Sequence, residues 1–342
     1  MRYLVTGHTG FKGAWLSLLL NQSGHEVCGL SLDPEPGSLF IAARVDEVLA
    51  GDVRCDVRDA EATQAAIKNL APDVVIHMAA QPLVRASYAD PRWTMETNVM
   101  GTLSVLEGVS VTPSVKGLVA VTTDKVYRNV GQRAGYVESD TLGGHDPYSA
   151  SKAMSDILIS SWTDSFGPCP TSIARAGNVI GGGDVSEDRL FPDLISAFQE
   201  GRTAHLRYPD AVRPWQHVLD CLGGYIMLAE ATAAGNASGA WNFGPDPDAF
   251  RSVGEASTTA AGFWGDGASW TAQPGDHPHE AELLTLDASR ARKELGWSDL
   301  LDFEASISWT IEWAKTVQSG TTAREASLAQ LDAFQELRAG SR

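Results

Sequence analysis

Thr6-Gly7-His8-Thr9-Gly10-Phe11-Lys12-Gly13 (TGHTGFKG) is the stretch whose reading decides the fold. It follows a short apolar run at 2–6 and opens an amphipathic helix predicted over 11–22, with Gly24 just past its end. In a strand–turn–helix setting the three glycines have separate jobs. Gly7 makes the tight turn, Gly10 lets backbone N–H groups approach a pyrophosphate, and Gly13 lets the helix pack closely on the sheet. The helix N-terminus then offers partial positive charge to a diphosphate. Phe11 and Lys12 lie in the same turn and are grouped with the dinucleotide-binding residues.

Outward from this turn, apolar runs at 27–32, 74–78, 118–122 and 171–176 read as strands. Helical patterns at 60–70, 98–109 and 147–165 fill the gaps, the last with its proline at the tolerated first position. That alternation predicts an α/β fold with a Rossmann-type doubly wound parallel sheet. Beyond residue 176 the texture becomes irregular and richer in Pro and Trp, which predicts a smaller C-terminal substrate-binding lobe. The expected division is a dinucleotide-binding domain at 1–176, joined again by 212–245 through a helix at 219–234 and a strand at 241–243. The lobe takes 177–211 and 246–318, and 319–342 is a terminal helix or tail.

Asp33 closes the second strand 20 residues after Gly13, where a carboxylate can accept both ribose hydroxyls and repel a 2′-phosphate; NAD is favoured over NADP. Asp56 and Val57 follow a third strand and are expected to reach the adenine. Ala79 and Ala80, in HMAAQ, are small enough to let a cofactor lie flat, while His77 reads as structural.

The chain has 342 residues and a formal net charge of −17, which argues against nucleic acid or an anionic membrane as partner. Diphosphate substrates must then be met by a few local cations or N–H groups. Four scattered cysteines without ligand spacing suggest reduced thiols in a cytoplasmic protein and no metal site. No window approaches the ~20 apolar residues a membrane span needs.

Tyr148 and Lys152 stand four apart at the start of a predicted helix and so share one face. A nearby ammonium and a nicotinamide charge would lower the phenol from about 10, letting it accept the proton of an alcohol that loses hydride. Thr123-Asp124-Lys125 precedes them by 25 residues. An acid and an amine beside a hydride-transfer site suit proton removal and loss of water, which plain dehydrogenation does not require.

TGHTGFKGAWL, AAQPLVRASYADP, TTDKVY, LGGHDPYSASKA, GNVIGGGD and RPWQHVLD together resemble the extended short-chain dehydrogenase/reductase family over nearly the whole chain. Within it they are most similar to the nucleotide-sugar 4,6-dehydratases, with CDP-glucose as the implied substrate. The resemblance implies that Tyr148 deprotonates the sugar 4-hydroxyl while Thr123 hydrogen-bonds the 4-oxygen, and that Asp124, kept protonated by burial, donates to the departing 6-hydroxyl. Lys125 stands where related dTDP-glucose enzymes carry glutamate. It is read as the C5 base, with stabilisation of the C5 enolate as the alternative, since a lysine near its usual pKa of about 10.4 is almost fully charged.

Arg213 suits a diphosphate. Asn178 is expected on phosphate or sugar, with Gly181–Gly183 allowing close approach. Arg85 and Tyr88 line the sugar pocket, and His217 joins the substrate wall. His277, His279 and Glu280 read as structural or rim residues. A homodimer through the helices at 98–109 and 147–165 is implied by the resemblance. Two rival readings remain: a nucleotide-sugar 4-epimerase, which has no use for Asp124 and Lys125 at C5 and C6, and a non-catalytic NAD sensor, which has no use for Tyr148 and Lys152.

Overall fold

The computed structural model describes residues 1–132, 134–273 and 284–340; His277, His279 and Glu280 lie outside them. Strand β1 (Arg2–Thr6) leads through the glycine turn into α1 (Phe11–Gln22), followed by β2 (Glu26–Ser31) and β3 (Gly51–Arg54). Then come α2 (Ala60–Leu70), β4 (Val74–His77), α3 (Gly101–Ser110), β5 (Gly117–Val121), α4 (Pro147–Phe166) and β6 (Thr171–Ala176). After α5 (Val218–Ala233), β7 (Gly239–Phe243) returns to pair with β6. The sheet order is β7-β6-β5-β4-β1-β2-β3, with every pairing parallel.

Period-two alternation explains why both faces are covered. Leu4, Val75, Leu118 and Ile173 pack with Ile67 of α2, Leu106 of α3 and Ile159 of α4. Their neighbours Tyr3, Val5, Ile76, Val119 and Ala174 face the other way, onto Leu18 and Leu19 of α1 and Leu222 and Tyr225 of α5. Because α1 lies between the sheet and outer elements, Gly13 through Leu20 are all buried, and its sequence is less amphipathic than a surface helix.

The lobe is made from helices Leu190–Gln199 and Val253–Trp264 and three two-stranded pairings. Antiparallel Val212–Pro214 and Phe250–Ser252 hold Arg213 in place. α6 (Phe303–Gln318) and α7 (Ala323–Gly340) close the far side, where Trp313 Nε1 donates to Ser327 Oγ at 3.0 Å.

The helix expected at 98–109 begins earlier. Asp90 caps a short helix with proline first, Pro91–Met95, accepting from Trp93 N–H at 2.9 Å, and a π turn at Glu96–Met100 carries it into α3. The π turn matters for the site. It turns Asn98 inward, and Ser155 of α4 donates to the Asn98 carbonyl at 2.7 Å.

Candidate active site

A cavity of about 1050 Å³ runs from the end of β2, past the glycine turn, to the lobe. Gly7 has φ +74°, and a Cβ there would stand 2.8 Å from Ala79 N. At Gly13 a Cβ would stand 2.2 Å from Gly7 O, so only glycine lets the first turn of α1 close over the loop. Gly10 differs: its nearest obstacle is Gly7 O at 3.5 Å. The protein itself leaves room there, as the approach of a diphosphate backbone requires. Gly10, Phe11, Lys12, Asp33, Ala79 and Ala80 all line this part of the cavity. Lys12 Nζ donates to Tyr225 Oη at 2.9 Å, which anchors the cation beside the loop.

Asp56 and Val57 do not line the cavity. Arg58 claims the Asp56 carboxylate at 2.6 to 3.1 Å, and Val57 is buried against Gly101. The adenine role expected for them is not brought together here. His77 is fully engaged, Nδ1 with Thr6 Oγ1 at 2.7 Å and Nε2 with Thr102 Oγ1 at 3.1 Å, and burial lowers its pKa to about 3. It is structural.

Thr123, Asp124, Lys125, Tyr148 and Lys152 meet in the middle of the cavity. Thr123, two residues past the end of β5, is extended and caps the turn Asp124–Val126. Its Oγ1 donates to Asp124 Oδ1 at 2.9 Å. Asp124 Oδ2 is buried without a protein partner, facing Gly177, where a Cβ would come within 3.2 Å. An unsatisfied buried carboxyl oxygen calls for a ligand group. Gly143 N donates to Val126 O at 2.8 Å, fastening this turn to the loop that delivers Tyr148.

α4 begins with Asp146 as cap, accepting from Ser149 N at 2.9 Å, and Tyr148 N donates to Ser87 Oγ at 3.1 Å. Asn98 braces the same helix: Nδ2 donates to Ser151 Oγ at 2.8 Å, and Oδ1 accepts from Gln81 N at 2.8 Å. Lys152 Nζ donates to Val121 O at 3.1 Å, and burial with help from Lys12 lowers its pKa to about 8. Burial raises Tyr148 to about 12, against a smaller pull downward from the Thr123 hydrogen bond.

Arg85, Tyr88, Asn178 and Arg213 line the lobe end. His217 does not. Its ring is buried, Nδ1 accepts from Leu219 N at 3.3 Å as the cap of α5, and Trp309 meets its edge. It is a structural cap and not part of the substrate wall. Gly181–Gly183 are also needed inside the protein: added Cβ atoms would run into Val218, Trp313 and Leu39.

A buried network beneath the site had no motif to mark it. Arg175 of β6 forks onto Asp156 of α4 at 2.7 and 2.8 Å and donates to Tyr127 Oη at 2.8 Å. It ties the catalytic helix to the sheet.

A doubly wound parallel sheet, a three-glycine turn and a buried Tyr-Lys pair in one cleft define a nicotinamide-dependent enzyme of sugar-type alcohols. The chain belongs to the NAD dependent epimerase/dehydratase family, whose sequence profile matches residues 3–244. It is 42% identical over 326 residues to CDP-glucose 4,6-dehydratase of Salmonella typhimurium, covering 92% of this chain and 90% of that protein. It is 28% identical to dTDP-glucose 4,6-dehydratase of Xanthomonas campestris, covering 93% and 94%. The crystal structure of a dTDP-glucose 4,6-dehydratase from Streptomyces venezuelae with NAD bound superposes with a TM-score of 0.82 at 26% identity, covering 93% and 98%.

Proposed function

We propose that this chain is an NAD-dependent nucleotide-sugar 4,6-dehydratase that converts CDP-glucose to CDP-4-keto-6-deoxyglucose and water. The observation that carries the reading is the convergence of Asp124, with its unclaimed buried Oδ2, and Lys125 on the cavity that holds Tyr148. The 42% identical relative named for CDP-glucose supports the nucleotide.

The glycine turn fits a dinucleotide diphosphate, and Asp33 at the open end of β2 fits the adenosine ribose diol. NAD, bound there, supplies the hydride acceptor for C4, later the hydride donor for C6, and a positive nicotinamide ring that lowers the Tyr148 phenol. Tyr148 Oη takes the proton of the 4-hydroxyl as the C–H bond at C4 breaks, and Thr123 Oγ1 steadies the 4-oxygen. The 4-ketone acidifies the C5 proton, which Lys125 removes. Asp124 Oδ2 gives a proton to the 6-hydroxyl, which leaves as water. Hydride arrives at C6 and a proton returns to C5, so the product has lost one water without net redox change. Lys152 holds the ribose side of the cofactor, and Asn178 and Arg213 meet the substrate diphosphate.

Supporting a division of labour, the lobe gives the cavity Asn178, Asp188, Arg207, Val253 and Leu284. Met100 in the π turn before α3, and Met154, Ile157 and Phe166 on α4, are exposed, and we assign them to a homodimer contact. Light scattering that returns a monomer mass removes that assignment. Four unpaired cysteines fit a reducing, cytoplasmic setting.

Incubation with CDP-glucose and NAD+ tests the reaction: NMR should show a 4-keto-6-deoxy sugar with no accumulated NADH. A galactose product would make the chain a 4-epimerase. No turnover of CDP-, dTDP- or UDP-glucose would sink the enzyme reading.

A further inference from the structure

Arg85, Asp188 and Arg207 come from three separate segments and meet in the lobe end of the cavity, which all three line. One carboxylate oxygen holds both cations. Asp188 Oδ1 accepts from Arg85 Nη1 at 2.8 Å and from Arg207 Nη1 at 2.9 Å. The side chains are partly open to solvent, at 44% for Arg85, 39% for Asp188 and 23% for Arg207, so water screens these ion pairs and they exchange readily. Asp188 also sits at φ +58°, a left-handed conformation uncommon for a residue with a side chain. Burial pushes the carboxyl of neighbouring Asp193 above its ordinary range, while the charges of Arg207 and Arg85 pull it back down.

We propose that Arg85 and Arg207 are a phosphate-binding pair for the substrate diphosphate, and that Asp188 is the internal counter-anion which that diphosphate displaces; this rests on the nucleotide-sugar reading above. A guanidinium fork is best satisfied by two acceptor oxygens. The Asp188 carboxylate offers each arginine one hydrogen bond through a single shared oxygen, and its backbone carbonyl accepts a longer one from Arg207 Nη2 at 3.5 Å. A diphosphate carries more charge and enough oxygens to serve both forks. In a chain of net charge −17, the carboxylate keeps two cations aimed into the cavity until a stronger anion arrives.

The sign of one substitution separates this role from a purely structural one. Calorimetric titration of the NAD-loaded protein with CDP, and with cytidine as the phosphate-free control, is the experiment. Asp188→Asn should tighten CDP roughly threefold to tenfold, because the competing charge is gone, while cytidine affinity stays unchanged. Asp188→Gly, which suits φ +58°, should do the same and covers the case in which asparagine disturbs the turn. Arg207→Ala and Arg85→Ala should each weaken CDP roughly fivefold or more without moving cytidine. Weaker or unchanged CDP binding in both Asp188 variants overturns the proposal, as does an equal shift of CDP and cytidine in the arginine variants. A wild-type protein that binds NAD but not CDP removes the nucleotide-sugar reading itself.

Discussion

Tyr148 and Asp124 show how far a side chain's chemistry depends on what surrounds it. The phenol lies at about 12 because burial outweighs the Thr123 hydrogen bond, and Lys152, the cation meant to lower it, is itself brought to about 8 by burial. A YxxxK spacing reveals which face the two residues share but not how dry that face is. The proton roles can be separated by two variants. Asp124→Asn should leave C4 oxidation in place and stall water loss, so enzyme-bound NADH accumulates in stopped-flow absorbance and turnover falls by about 10²–10⁴. Lys125→Met should abolish solvent deuterium exchange at C5, and exchange at the parent rate would remove Lys125 as base. At this scale the sequence also leaves hidden which side chains are taken up by near neighbours, because that depends on how the backbone turns between them. Asp56 is claimed by Arg58, and His217 is consumed as a helix cap, a role its neighbours Gln216 and Val218 do not announce.

Elements were more legible, since strand and helix periods are local properties. α1, α2 and β6 run between the residues their patterns predict, and the parallel order follows from the alternation. The π turn at Glu96–Met100 was not legible, because it depends on Asn98 bonding across to Gln81 and Ser151. The glycine turn yields a test in which two similar changes should part company. Gly13→Ala must displace the Gly7 carbonyl, and should lower stability by about 1–3 kcal/mol together with NAD affinity. Gly10→Ala has room within the protein, so thermal unfolding should hardly change while NAD affinity drops. Equal losses of melting temperature in the two variants would refute this distinction between a packing glycine and a ligand-facing one.

For the whole molecule, one buried carboxyl links a lobe connection to the core. Asp220 of α5 accepts from Leu300 N at 2.8 Å and Leu301 N at 3.1 Å, and burial raises its pKa to about 8. The folded protein therefore holds a proton here that the unfolded chain has released, over the range from the usual carboxylate pKa up to about 8. The associated stability is fully present below that range and is lost as pH rises through about 8. Melting temperature should fall more steeply between about pH 5 and 8 in the wild type than in Asp220→Asn. Parallel curves in differential scanning calorimetry would exclude this linkage. No pattern along the sequence marks Asp220, for its environment is made by a loop 80 residues later.

The return of β7 to the sheet has a consequence for how the chain reaches this state. β6 is complete at residue 176, yet its partner at 239–243 is separated from it by the first half of the lobe and all of α5. On a ribosome the growing sheet therefore waits with β6 as a bare, hydrogen-bonding edge while more than sixty residues emerge. Closing that edge is a long-range step, and it sets the stage at which the nascent chain is most exposed to mispairing with another copy of itself.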